Sequence, residues 1–207
     1  MPRQNRVTPS GELIAVPARG TFMGNRGCLH DAGGRIRRAH NGRRWIICAL
    51  EFKGRRLPLA DPGRNTQLFF LDEATALAAG HRPCGECRRD AFRAFVETWT
   101  AANPRALPSP ASIDDLDRVL HRQRLGPRLR APLDALPDGA FVALADDPRP
   151  HLVLGGTLLP WAPEGYGARF HPPSAVVVEV LTPESIVDAL RAGYRPTLHP
   201  SATGRDG

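Results

Sequence analysis

Residues 72–92 read DEATALAAGHRPCGECRRDAF. Two of the chain's four cysteines, Cys84 and Cys87, lie here with two residues between them. Asp72 is a helix N-cap by type, because its carboxylate can accept the orphan N–H groups of a first turn. EATALAA then carries a short helix, and Gly80 ends it. After the pair, Asp90 is placed to cap a second helix. Its Phe92, Phe95, Val96 and Trp99 fall on one helical face and predict core packing. A C-x-x-C pair in this setting is a redox couple, half of a metal site, or two ordinary thiols. A thioredoxin-like couple would open a helix within a βαβ unit. Here a strand, a short helix and a proline come first, which fits a metal knuckle better. Zinc usually takes four ligands, so two more must come from elsewhere. Cys28, His30, Cys48 and His81 are the nearby candidates.

Composition narrows the classes. In 207 residues, 42% are hydrophobic, enough for a real core and against disorder of the whole chain. No apolar run reaches the roughly 20 residues that cross a bilayer, and the N-terminus lacks a signal-peptide pattern. This predicts a cytoplasmic protein, where thiols stay reduced and a close cysteine pair points to metal or catalysis. The net charge is +7. It is concentrated in residues 1–100, which hold 17 Lys or Arg against 9 Asp or Glu; residues 101–207 hold 11 against 12. A polyanion partner is therefore expected to meet the first half. Lys53 is the sole lysine. Phosphate recognition suits arginine, although a GC-rich genome accounts for most of the arginine count.

The expected fold class is α+β, in two small units joined by the Pro- and Ala-rich stretch at 100–112. Residues 1–100 form a basic zinc-bearing domain in this reading, and 112–200 a small α/β-rich module. In the first, ELIAVPA and TQLFFL read as strands. RIRRA and RWIICALEF read as a hairpin turning at Asn41-Gly42, and KGRR as a further turn. In the second, Ser112 and Asp115 form a capping-box start. AFVALAD, HLVLG and AVVVEVL read as strands, and a last helix runs from Thr182-Pro183 to near Gly193. The tail from His199 reads as frayed.

The run FFLDEATALAAGHRPCGECRRD, residues 69–90, resembles the end of the metal-binding domain of the Ada family of DNA repair proteins. That family shows a strand, a helix ending in ALAAG, and then G-[FY]-R-P-C-x-x-C. The resemblance implies a small zinc fold that contacts DNA, with Cys84 and Cys87 as the last two ligands. His81 takes the family's aromatic position, which implies packing rather than ligation. The family's first two ligands form C-x-x-x-C about 27 residues earlier, where this chain has FKGRRLPLA and no cysteine. GNRGCLH, residues 24–30, is similar to the opening of a related standalone branch that uses a histidine first. The implied ligand set is thus His30, Cys48, Cys84 and Cys87, with Cys28 as the substitute for His30. The methyl-accepting cysteine motif of the family is absent, so the resemblance carries zinc and DNA contact but not methyl transfer. Arg82, Arg88 and Arg89 around the knuckle, with Arg43 and Arg44, are the candidate DNA contacts.

Two further patterns hold possible chemistry. Asp31 with Glu51-x-Lys53 resembles the D…E-x-K arrangement of a nuclease superfamily, in which carboxylates hold a divalent metal. Such a short motif often arises by chance, and a solvated strand end is the simpler reading. Residues 155–173 form a long Gly- and Pro-rich stretch bearing Trp161, Tyr166 and Phe170. These aromatics can stack a base, or plug a sheet edge, which is the commoner outcome. Phosphate-loop, nucleophile-elbow and dinucleotide fingerprints are absent.

Overall fold

The computed structural model describes residues 1–54, 63–106, 108, 112–172 and 176–204. The turn expected at KGRR and the stretch expected as a linker lie partly outside these residues. The described chain is α+β, with two six-stranded sheets and four helices.

The first sheet comprises β1 (Gln4–Val7), β2 (Leu13–Ala15), β3 (Phe22–Asn25), β4 (Ile46–Cys48), β5 (Leu68–Phe70) and β6 (Arg82–Pro83), in the order β2-β1-β5-β3-β4-β6. Gly24 lies in β3, where an added Cβ would come within 2.2 Å of the Ile46 carbonyl oxygen. Only glycine lets these strands approach so closely, which gives the GN pattern a packing reason. The hairpin expected over residues 35–52 does not form. β4 pairs instead with β3, Gly24 facing Ile47, and residues 35–39 contribute only an isolated bridge between Ile36 and His30. Arg35, Arg37 and Arg38 are exposed, so that segment offers no apolar face to a sheet.

Helix α1 (Glu73–Ala78) is capped by Asp72 as expected, its carboxylate accepting from the Thr75 N–H at 2.8 Å. All six of its residues are buried. Helix α2 (Arg89–Ala102) begins one residue before Asp90, which sits in its first turn rather than at its cap. Phe95 and Trp99 bury completely. Helix α3 (Ile113–Leu125) opens with the expected capping box.

The second sheet is antiparallel: β7 (Arg130–Pro132), β8 (Phe141–Ala143), β9 (His151–Leu154), β10 (Thr157–Ala162), β11 (Gly165–Tyr166) and β12 (Val177–Val180), in the order β11-β10-β9-β8-β12-β7. The stretch expected as an aromatic loop is largely the β10–β11 hairpin. Its aromatics pack inward. The Trp161 Nε1–H donates to Thr75 Oγ1 at 3.1 Å, and the Tyr166 hydroxyl donates to Asp72 at 2.7 Å. Helix α4 (Glu184–Arg191) follows Pro183.

The halves expected as separate units share one apolar core. Leu68, Phe70, Phe95 and Trp99 from the first cluster with Leu116, Leu120, Val142, Ile186 and Leu190 from the second. Polar contacts bind them as well. Besides Thr75 and Tyr166, the buried Asp72 carboxylate accepts from the His199 N–H at 3.0 Å. Glu73 accepts from the Tyr194 hydroxyl at 2.7 Å and the Thr197 N–H at 3.0 Å. The segment expected to be frayed is therefore docked through residue 202, where Ala202 is buried. Two acids read only as a helix start also receive the C-terminal strap. Tyr166→Phe removes one hydrogen bond to a buried carboxylate, a loss of about 1.5–3 kcal/mol. A melting temperature lower by roughly 3–12 °C is expected by differential scanning calorimetry for a chain of this size.

Candidate metal centre

Parallel pairing of β4 with β6 aligns Ile46 with Arg82 and Ile47 with Pro83. The Arg82 N–H donates to the Trp45 carbonyl at 3.1 Å and the Cys84 N–H to the Ile47 carbonyl at 2.9 Å. The next residues in this register are Cys48 and Cys84. A tight turn then delivers Cys87 just before α2. The three sulfurs lie within 4.8 Å of one another, each residue half-buried. In tetrahedral zinc sites, Zn–S bonds of about 2.3 Å place sulfurs about 3.8 Å apart. The cluster therefore needs at most a small contraction to close on one ion.

Backbone amides face the sulfurs. The Glu86 N–H donates to Cys84 Sγ and the Ala49 N–H to Cys87 Sγ, each at 3.4 Å. Such bonds favour thiolate over thiol. Cys84 is held down to about 5, chiefly because the Cys48 thiol donates to it and also through the backbone amides. Cys48 is pushed up by that same contact and by burial, and burial pushes Cys87 up. The cluster thus carries one thiolate readily. Further ionisation places negative charges side by side and needs a cation between them. Of the ions a cell offers, thiolate donors suit zinc, copper(I) and iron–sulfur chemistry.

Of the four expected ligands, Cys48, Cys84 and Cys87 come together and His30 does not. Among the described residues, this is the one group of three or more His, Cys, Asp or Glu side chains within ligand reach of each other. His30 is buried, with its Nδ1 at 2.6 Å from Thr66 Oγ1. Cys28, the substitute, sits 3.7 Å from the His30 carbonyl oxygen. The Thr66 hydroxyl that engages His30 also accepts from the Leu29 N–H at 2.8 Å, so Thr66 ties the 28–30 loop to the approach to β5. His81 packs as expected. It is fully buried against Phe70 and Trp45, and burial followed by the charges of Arg26 and Arg124 pushes its pKa well down.

The expected DNA contacts divide. Arg82 is buried and forms a two-pronged pair with Asp117, at 2.8 and 2.7 Å. Arg88 pairs with Glu73 at 2.8 Å and lies over the Phe22 ring at 4.3 Å, its side chain 10% exposed. Both are committed to the fold, which corrects their assignment to an interface. Arg43, Arg44 and Arg89 are exposed, and Arg44 pairs with Asp114 across solvent at 2.9 Å.

The nuclease pattern is not assembled on a strand, because β4 ends at Cys48 and Glu51 and Lys53 lie beyond it. Lys53 adopts a positive φ of 52°. Asp31 accepts from the Gly33 and Arg35 N–H groups at 3.0 Å and from Arg37 at 2.7 Å. Its carboxylate serves its own turn, and the Arg37 hydrogen bond leads the causes that hold its pKa down. No helix among the described residues is long and apolar enough to cross a membrane.

Comparison with known proteins finds no matching family model, curated protein or solved structure. The chemistry of the site therefore rests on its own residues.

Proposed function

We propose that the chain is a zinc-stabilised protein that binds DNA through the basic surface of its first half. The gathering of Cys48, Cys84 and Cys87 at one knuckle carries this reading. Three sulfurs from two elements distant in sequence, with two amide N–H groups donating to them, make a site for a soft cation, and zinc is the usual occupant of such thiolate knuckles. The resemblance of residues 69–90 to the Ada metal-binding domain and the +7 net charge add the nucleic-acid partner. Arg43, Arg44 and Arg89 remain as the contacts. Zinc here orders the turn that leads into α2. The nuclease alternative loses ground, since Asp31 is engaged by Arg37 and two amides of its own turn.

The test is equilibrium binding of the intact, zinc-loaded chain to a fluorescent DNA duplex across a salt series. Affinity is expected to fall steeply with salt, because phosphate contacts release counterions. The double reversal Arg43→Glu, Arg44→Glu should weaken binding on all sequences alike and reduce the salt slope by about one for each phosphate no longer neutralised. Binding indifferent to salt and to this reversal would remove DNA from the proposal and leave a zinc-stabilised interaction module.

A further inference from the structure

A cleft of about 420 Å³ lies between the two halves, away from the thiol cluster. Arg26, His40 and Trp45 line it from the first half, and Arg124 and Arg128 from the end of α3 and the segment after it. We propose that this cleft binds a phosphomonoester: a terminal phosphate carried on a small, partly apolar body.

The charge of the cleft is incomplete. Arg26 is only 2% exposed, yet among the described residues no carboxylate pairs with it. Its guanidinium donates to the Gly11 carbonyl at 2.9 Å and the Ala39 carbonyl at 3.4 Å, lies 4.3 Å from the Trp45 ring, and leaves its buried Nε–H without a partner. Arg124 repeats the pattern on the same ring, at 3.9 Å. It donates to the carbonyls of Gly80, at 2.7 Å, and Arg43, and meets His121 Nδ1 at 2.9 Å, again with the Nε–H unpartnered. Asp117, the carboxylate whose charge acts on it, already accepts from Arg82 with both oxygens. Burial lowers Arg26 to about 10 and Arg124 to about 9, the Arg26 charge adding to the effect on Arg124.

Desolvating a guanidinium is costly unless an anion or a full set of acceptors compensates. Carbonyls and one indole supply part of that compensation. Arg128 adds a third guanidinium at the rim, ion-paired with Glu179 at 3.3 Å and donating to the Ser10 carbonyl at 3.3 Å. Against these, Glu184 is the one carboxylate on the described lining. Two or three guanidiniums match a divalent phosphate in charge and in fork geometry. The volume lies within the range of small-ligand sites. Leu125, Leu129 and Leu181 form an apolar wall suited to the body that carries the phosphate. That phosphate can come from a free nucleotide or from the 5′-phosphorylated end of a strand.

Phosphate binding in the cleft does not depend on DNA binding at Arg43 and Arg44, and the test separates the two. Thermal unfolding of the intact, metal-loaded chain is followed with inorganic phosphate, a nucleoside monophosphate, a 5′-phosphorylated oligonucleotide and its 5′-hydroxyl counterpart, all at constant ionic strength set by sodium chloride. A ligand that binds only the folded state raises the melting temperature saturably. Inorganic phosphate and at least one phosphomonoester are expected to do so. A greater rise with the monophosphate identifies a free nucleotide; a greater rise with the 5′-phosphorylated than the 5′-hydroxyl strand identifies a strand end. Arg128→Gln, at the exposed rim, should weaken the phosphate effect about tenfold without altering metal content, as expected for removal of one charge-assisted hydrogen bond. Arg124→Lys should weaken it further, because an ammonium lacks the fork. No phosphate-specific rise in the wild type, or a rise unchanged in both variants, would show that the two guanidiniums only staple carbonyls and would overturn the proposal.

Discussion

Cys48→Ser is expected to abolish zinc binding at the proposed site and to collapse the β4–β6 corner of the first sheet. Elemental analysis of the wild type, purified without added metal, should give about one zinc per chain, and the variant well under half of that. The reason is geometric. Cys48 is held beside Cys84 by the parallel pairing of two very short strands, β4 and β6. Zinc–thiolate bonds across that pair would contribute far more than its few backbone hydrogen bonds, since structural zinc contributes on the order of 10 kcal/mol in small domains. Chelation should therefore lower the melting temperature by well over about 10 °C, and Cys48→Ser should reproduce the fall in untreated protein. Cys28→Ser is the control, expected to keep the zinc because Cys28 lies outside the cluster. Cobalt substitution adds a count: the thiolate-to-metal charge-transfer band should carry the intensity of three sulfurs, falling by a third in Cys87→Ser if that variant still binds. Metal-free wild type with an unchanged melting curve would end the zinc reading.

Asp117→Ala is expected to be nearly as damaging, although Asp117 lies far from the thiols in sequence. Its carboxylate and the Arg82 guanidinium are 2% and 6% exposed at the side chain. Removing one partner leaves a buried charge without compensation, typically about 3–5 kcal/mol. For a chain of this length that corresponds to a melting temperature lower by roughly 6–20 °C. Arg82→Met combined with Asp117→Leu removes both charges and should recover most of the loss, because an apolar pair of similar volume often equals a buried ion pair. The double variant also tests the corrected role of Arg82. If it restores stability but abolishes DNA binding while zinc stays bound, Arg82 contacts DNA after all. Full binding in the restored protein would confirm that this arginine serves the fold.

Local sequence was a good guide wherever short-range chemistry decides structure. Asp72, Gly80 and the Ser112–Asp115 box mark helix ends because caps are satisfied by residues within a turn. Phe95 and Trp99 announce their burial because helical periodicity places them on one face. Cys84 and Cys87 declare a knuckle because both ligands come from one tight turn. The strands were less legible. RIRRA had a turn signal beside it but no apolar face. β10 was hidden in a Gly- and Pro-rich stretch, where composition suggested a loop while Leu158 and Leu159 were destined for the core.

Residue types and their local spacing by themselves determined that the chain has a core, a basic first half, and a C-x-x-C turn between two helices. Cys48 was already in the expected ligand set; only the tertiary structure decided that it joins that turn while His30 does not. The parallel register of β4 and β6 selects Cys48 and leaves His30 beside Thr66, a choice between candidates that one-dimensional spacing cannot rank. It also decided which arginines face solvent. Arg82 and Arg88 adjoin the knuckle in sequence, yet Asp117 and Glu73 draw them inward, while Arg26 and Arg124 converge on Trp45 from positions almost a hundred residues apart. A buried charge needs partners in three dimensions, and the chain reveals those partners only when its two halves close over one core.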